Sequence, residues 1–429
     1  MNSLVSKFLG TAGLQLLSRG IIAISGIMFA RYLGPEEFGK YTYIMSIILI
    51  VGLPAAAGLP NLLVREIANY HLEKKWGLLC GVISWSRWYI VKVSCFMIGL
   101  MLTGFYLEVF DADIERLLWV AICLIPLRGG IAQHAAILKG LRRPSISLLP
   151  MEIFLPIIVL SLMSIMIFLE IEFKSKELVL VTIIASFCAF LLSVMLLLNI
   201  IRKETKKSPK RYNKKTWNSS LLPMALIVII STFNTELAVF FLGLLGNSES
   251  VAYFKVGMQA TILISLGLSS INIVIMPNVA RFFKMGDMSK TQELLTKSVQ
   301  LNLLVSLPIL LVLIFFGRFI IGLLFGSEYI DAYPVLVILC VGQFVNVFMG
   351  SVGVVLYMTH NEKKALKSLV ISLVINIVLL ILLVPNHLEI GGAVATSFTM
   401  IVWNVLMAKE VKFLTGLKTW FSYRRYHAK

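Results

Sequence analysis

Apolar runs long enough to cross a bilayer recur along this entire chain, and that recurrence limits the fold more than any motif. A spanning helix needs about 20 apolar residues at about 1.5 Å rise each. Twelve such spans are predicted, at approximately 10–32, 42–64, 78–104, 117–138, 146–169, 178–200, 219–245, 252–276, 298–325, 333–358, 366–385 and 391–408. Lipid satisfies no backbone polar group, so only helices or a closed barrel can cross it. The runs lack the strict alternation of barrel strands, so the expected class is all-α and polytopic. Composition agrees: 58% of residues are hydrophobic and 14% charged, against roughly 45–50% and about 25% in soluble domains. The first run is long, holds Arg19 internally and continues into further spans, so it does not read as a cleavable signal.

The net charge of +17 invites a nucleic-acid reading, which the placement of the charges removes. Lys7, Arg65, Lys74, Lys75, Lys139, Arg142, Arg143, Arg281, Lys284, Lys290, Lys297, Lys363, Lys364 and Lys367 fall in alternate loops, with eight Lys/Arg more in the linker Arg202–Thr216. The tail after Ala408 adds Lys409, Lys412, Lys418, Arg424, Arg425 and Lys429. The opposite loops hold only Lys40, Arg116, Lys174 and Lys176 and are otherwise acidic, so 28 cations stand against 4. By the positive-inside rule both termini are expected in the cytoplasm. The tail also carries Phe413, Trp420, Phe421, Tyr423 and Tyr426. Two readings of it stay open: an interfacial helix or loose anionic-lipid contact, or a disordered end.

The linker near the midpoint leaves six spans on either side. The expected organisation is an N-terminal six-helix lobe (1–201), a basic linker (202–218), a C-terminal six-helix lobe (219–408) and a basic tail (409–429). At an offset of 212 residues Leu33, Gly34, Glu37 and Tyr41 fall on Leu245, Gly246, Glu249 and Tyr253, and Ala68 falls on Ala280. The identity is thin. It gains weight because it coincides with the division into two equally oriented halves. Parallel six-span repeats around a central cavity are a transporter design.

Seven cations remain inside or beside spans: Arg19, Arg31, Arg87, Lys92, Arg128, Lys255 and Arg318. Two acids, Glu152 and Glu236, also lie within spans. A cation at a helix centre costs about 2.5–3.5 kcal/mol on insertion scales, so such residues face a bundle interior or a wet cavity. Several together suit a phosphate or pyrophosphate, through charge-assisted and often bidentate bonds. For Arg31, Lys255 and Arg318 snorkelling to the interface is the rival reading. For Arg19 and Arg128 the rival is an ion pair with Glu152 or Glu236. Arg87 and Lys92 are five apart, about 140° around a helix, so one narrow groove does not take both. Polar stripes (Gln15/Arg19/Gly26, Thr261/Ser265/Ser269/Asn272, Gln343/Asn346/Gly350/Tyr357, Ser368/Ser372/Asn376) fit either a wet lumen or polar glue between helices.

No catalytic constellation, P-loop or metal-ligand spacing is found, so neither an enzyme nor a cofactor is expected. The cysteines form no Cys-x-x-Cys and read as small core residues.

The stretch Phe29-Ala30-Arg31-Tyr32-Leu33-Gly34-Pro35-Glu36-Glu37-Phe38-Gly39-Lys40-Tyr41, followed by Gly58-Leu59 and Val64-Arg65-Glu66-Ile67-Ala68, resembles the opening of the bacterial polysaccharide flippases, the O-antigen repeat-unit exporters often called Wzx. Leu138-Lys139-Gly140-Leu141-Arg142-Arg143-Pro144 resembles their short loop after span four. The C-terminal half resembles them in pattern more than in motif. The resemblance implies the multidrug/oligosaccharidyl-lipid/polysaccharide exporter superfamily, with two MATE-like six-helix lobes. It implies transfer of undecaprenyl-pyrophosphate-linked oligosaccharide to the periplasmic leaflet of the inner membrane by alternating access. Coupling to H+ or Na+ is a possibility it raises, with Glu236 and Glu152 as candidate carriers, as is association with other polysaccharide assembly proteins. Related lipid II flippases have an arginine of the first helix in a cationic cavity, and Arg19 occupies a comparable place. The alternatives are a multidrug or organic-cation antiporter of the same superfamily, which would favour buried acids over cations, and a membrane glycan polymerase, which would need a large outer loop.

Overall fold

The computed structural model describes residues 2–171, 173–204, 208–359 and 361–421, and among them there is no strand. The helices are α1 (Asn2–Ala56), α2 (Leu59–Leu72), α3 (Trp76–Tyr106), α4 (Ala112–Ala121), α5 (Leu124–Gly140), α6 (Pro144–Leu148), α7 (Leu155–Phe168), α8 (Ser175–Glu204), α9 (Lys214–Leu245), α10 (Ser248–Lys284), α11 (Met288–Leu324), α12 (Tyr333–Met349), α13 (Val352–Met358) and α14 (Glu362–Thr415). They supply the twelve predicted spans, because two of them are folded. The backbone of α1 leaves helical geometry at Gly34 (φ 71°, ψ 172°), and that of α14 does so at Leu388 (φ 45°, ψ −127°).

Several spans are less regular than hydropathy suggests. The second runs from Pro35 only to Ala56, then breaks at Gly58 (φ 70°), where Pro60 opens α2. The fourth is interrupted between α4 and α5, and the tenth at Gly350 between α12 and α13. The fifth contains a six-residue π-helix, Leu149–Phe154, between α6 and α7.

The chain divides into two compact units. The first takes residues 1–33 and 40–229; the second takes residues 34–39 and 230–429. In the first, Trp217 is fully buried among Leu62, Leu63, Ile67, Leu79, Val82 and Ile137, and its Nε1 donates to the Tyr70 hydroxyl at 3.0 Å. In the second, Ile275, Val279, Leu295, Val355, Ala365, Val411 and Leu417 form the corresponding cluster. Of the cysteines only Cys340 is buried and Cys95 is exposed, so the core expectation fails for Cys95, which lies on the open face of α3.

Each unit closes its sixth span with an extended strap. In the first, the Arg211 N–H donates to the Gly77 carbonyl at 2.9 Å, and Lys210 reaches Ser84 at 3.3 Å. A Cβ at Gly81 would overlap the Arg211 carbonyl, so only glycine admits the strap there. In the second, the Gln292 amide holds Lys418 at both ends: Nε2 donates to its carbonyl at 2.8 Å and Oε1 accepts from its N–H at 2.7 Å. The Phe421 N–H then donates to the Phe348 carbonyl at 3.1 Å. The tail is therefore helical to Thr415, and Leu417 and Thr419 beyond it are buried; neither sequence reading anticipated that docked end. Tyr423, Arg424, Arg425, Tyr426 and Lys429 lie outside the described residues.

Candidate functional site

In the first unit Arg19, Arg87 and Lys92 have no carboxylate against them among the described residues. Arg19 is exposed on α1. Its neighbour Ser18 is buried and donates to Glu152 Oε2 at 3.4 Å. Glu152 belongs to the π-helix, whose wider turn moves its side chain to a different face from the one an α-helix would give. The rival ion pair of Arg19 with Glu152 does not form; a serine takes the carboxylate instead. The side chain of Gln15, grouped with Arg19 by spacing, lies outside the described residues.

Arg87 and Lys92 are both exposed on α3, beside Trp88 and Phe96 at 63% and 67% exposure, while Ser86, Ile90 and Ser94 are buried on the other face. The 140° between them fits a broad open face. Neither has a carboxylate within 4 Å among the described residues, nor has Arg19. Arg31 is exposed, three residues before the Gly34 fold.

Arg128 is different. It sits on α5 and turns into the unit, where Nη2 points at the Met45 sulfur at 3.6 Å and Nε is buried without a partner. It has no carboxylate among the described residues, so its predicted pairing with Glu152 or Glu236 is absent. Near it Tyr41 and Thr182 share a hydrogen bond of 3.2 Å. His134, 5% exposed, bonds Ser193 Oγ at 2.8 Å and stacks on Phe190, which makes it a core polar group.

In the second unit both span cations have a partner. Lys255 Nζ lies 4.0 Å from Glu236 Oε2. The two residues stand nine before and eight after the α9–α10 corner at Leu245–Asn247, hence at one depth, a relation that folding the sequence into a hairpin would have found. The Arg318 guanidinium stacks over the Tyr333 ring at 5.6 Å, and the Tyr333 hydroxyl donates to the Ile314 carbonyl. Its interior polar groups are neutral and mutually bonded. Asn234 donates to the Leu369 carbonyl at 3.2 Å and accepts from Ser372 at 3.4 Å. Asn404 donates to Asn346, which donates to Gln343. Ser351 donates to Asn272. The stripes in α12 and α14 thus act as glue between helices of one unit; the side chains of Ser265 and Ser269 lie outside the described residues. The exceptions are Asn376, fully buried with both amide ends unpartnered, Asn302 Nδ2, and the hydroxyls of Thr396, Thr399 and Thr419.

No group of three His, Cys, Asp or Glu side chains could hold a metal ion among the described residues. The arrangement sets exposed cations in spans of the first unit against span cations with partners in the second.

A polytopic protein of two six-helix units is the fold class so defined, and solved structures share it. A lipid II flippase, MurJ, in an inward closed conformation matches 94% of this chain and 87% of its own, with a TM-score of 0.71 at 17% identity. A multidrug resistance MATE family transporter in an inward-facing conformation matches 95% and 99%, with a TM-score of 0.73 at 14% identity. The family follows from sequence: the model described as polysaccharide biosynthesis protein matches residues 4–283, and the chain belongs to that family. The MatE model matches residues 223–382. A Haloferax volcanii protein named as a low-salt glycan biosynthesis flippase is 24% identical over 190 residues, 44% of this chain and 40% of that protein. A Shigella flexneri protein named as an O-antigen transporter is 25% identical over 345 residues, 76% of this chain and 78% of that protein.

Proposed function

We propose that this protein is a flippase for lipid-linked oligosaccharide, carrying an undecaprenyl-pyrophosphate-linked repeat unit from the cytoplasmic to the periplasmic leaflet. The observation that carries the reading is the set of exposed cations in spans of the first unit, Arg19, Arg87 and Lys92, with no carboxylate against them. Cations at that depth are expensive, and a diphosphate head group offsets the cost through charge-assisted hydrogen bonds. The names carried by the Haloferax and Shigella relatives support it. Charge asymmetry supports placing both termini in the cytoplasm, in the inner membrane of a bacterium. Arg19 receives the pyrophosphate first, the sugars follow through the lumen, and the prenyl chain stays in lipid. Arg31 and Arg128 are further candidates in the same unit, whereas Lys255 and Arg318 are already engaged by Glu236 and Tyr333.

Return of the empty carrier is coupled to H+ or Na+ in this reading. Glu152 is the first candidate carrier, because a proton there removes the negative charge beside Ser18 and strengthens the field of Arg19 on an anion. Glu236 is the second, held by Lys255.

Reconstitution in liposomes with labelled lipid-linked oligosaccharide tests the proposal. Leaflet transfer is expected from the wild type and is expected to collapse in Arg19→Ala. Transfer at the wild-type rate by well-folded Arg19→Ala would remove Arg19 from its central role. Transport of a cationic dye with no lipid transfer would favour the organic-cation antiporter, the reading the MatE match keeps in view.

A further inference from the structure

Both straps dock at the same place in their own units. The first meets Gly77 and Gly81 in the opening turns of α3, the third span of the first unit. The second meets Gln292 in the opening turns of α11, the third span of the second. They are held differently. Against α3 the strap backbone fits a glycine berth, and the Arg211 side chain stays exposed. Against α11 a side chain does the holding. The Gln292 amide gives an N–H to the Lys418 carbonyl and another to Thr296 Oγ1, while its oxygen accepts from the Lys418 N–H. It acts as a neighbouring β-strand would, reading main chain and not side chain. Leu417 and Thr419, on either side of Lys418, are buried, so alternate residues turn inward as in a bound extended peptide.

The second strap also lies across the break in the tenth span. There α12 stops at Met349, where Gly350 takes φ 72° and ψ −152°. A helix end leaves its last four carbonyls without helical donors. The Gly350 N–H serves those of Asn346 and Val347, each at 3.2 Å, and the Phe348 carbonyl is served by the Phe421 N–H of the strap. Gly350 is also where the strap passes: a Cβ there would overlap the Thr419 carbonyl and the Val299 side chain. Break and strap therefore depend on one another. The strap needs glycine at 350, and the broken helix needs the strap's N–H.

We propose that the opening of α11 and the end of α12 form a recognition site for an extended chain segment, filled in cis by residues 417–421, and that the filled site keeps span ten broken at Gly350. The ligand it fits is a main-chain strand with small or aliphatic residues at alternate positions. Gln292 and Gly350 act as positioning residues. The assignment lies wholly within the second unit and does not rest on the substrate reading above.

The test uses full-length protein in detergent and two readouts. A protease cuts where backbone is free to leave its partners. Trypsin is therefore expected to cut the Lys418–Thr419 bond slowly in the wild type, and several-fold faster in Gln292→Leu and in Phe421→Pro, which removes the N–H given to Phe348. Hydrogen exchange over residues 346–356 is expected to rise several-fold in both variants, although neither substitution lies in that segment. The double variant should match the faster single one, because a single undocking accounts for both effects. Cleavage at the wild-type rate in both variants would overturn the assignment. So would faster cleavage with exchange over 346–356 unchanged, or effects that multiply in the double variant, since those would be separate local losses. Phe421→Pro lies beyond the last helix, so the test survives a failure of Gln292→Leu to fold. Neither readout uses cargo: a wrong substrate leaves them readable, and their failure leaves the flippase reading standing.

Discussion

The two six-span units differ most in how they treat charge. In the first, Arg19, Arg87 and Lys92 are exposed with no carboxylate against them among the described residues, and Arg128 is turned inward against a methionine sulfur. In the second, Lys255 faces Glu236, Arg318 lies on Tyr333, and the interior is held by Asn234, Asn346 and Asn404 bonded to carbonyls, amides and hydroxyls. Similar topology therefore carries two electrostatic designs. One unit retains a strong field at a standing cost in stability; the other removes its own field and gains internal order.

The comparison can be broken most directly by removing one cation from each unit. Arg19→Ala is expected to lower leaflet transfer by roughly 10- to 100-fold, corresponding to the loss of about 1.5–3 kcal/mol of hydrogen bonding to a charged group. Arg318→Ala removes a cation–π contact of about 0.5–1 kcal/mol and is expected to leave transfer within a few-fold of wild type. Equal losses in the same flipping assay would end the asymmetry argument. Arg128→Met sharpens it next. Replacing an unpaired inward cation with a matching apolar side chain should raise thermal stability in detergent by about 1–4 kcal/mol, by analogy with buried ionic groups replaced by apolar ones. Transfer is expected to fall at the same time; a variant that is both destabilised and fully active would show that Arg128 is structural. In the second unit, Asn234→Leu is expected to cost about 0.6–1.7 kcal/mol in the same melt with little change in transfer. The smallest effect is expected for the double change Lys255→Met with Glu236→Gln. A double-mutant cycle should give a coupling of about 0–1 kcal/mol for this partly exposed pair. A larger coupling, or loss of ion dependence, would promote Glu236 from counter-ion to carrier.

Hydropathy made the number of spans and their all-helical nature legible, because about 20 apolar residues in a row admit few other outcomes. Where the helices break was only partly legible. Gly34, Gly58 and Gly350 mark breaks and are glycines with positive φ, but so is Gly416, at a helix end, and many other glycines of the chain are plain helix. Leu388 breaks α14 with a positive φ that its residue type disfavours, so the bend there follows from the packing of the helices on either side. The π-helix around Glu152 carries no signal in composition, yet it decides which face the carboxylate takes. Candidate site residues stand out by their cost in lipid, since Arg19 and Arg128 stand alone in apolar sequence. Their partners could not, because Ser18 and Met45 are ordinary residues of membrane helices until packing brings them to Glu152 and Arg128.

The strap of residues 208–213 bears on how this protein can be taken apart. It is tied to α3 through Gly77 and Ser84 and leads straight into Trp217, which is bonded to Tyr70. A gene divided just before the codon for Ser208 would yield a downstream polypeptide whose leading edge is shaped for the upstream one. Such fragments would have a ready means of finding each other in the bilayer, with Gly81 supplying the berth. The midpoint of the chain is thus less a tether than a joint that could be made without a covalent bond.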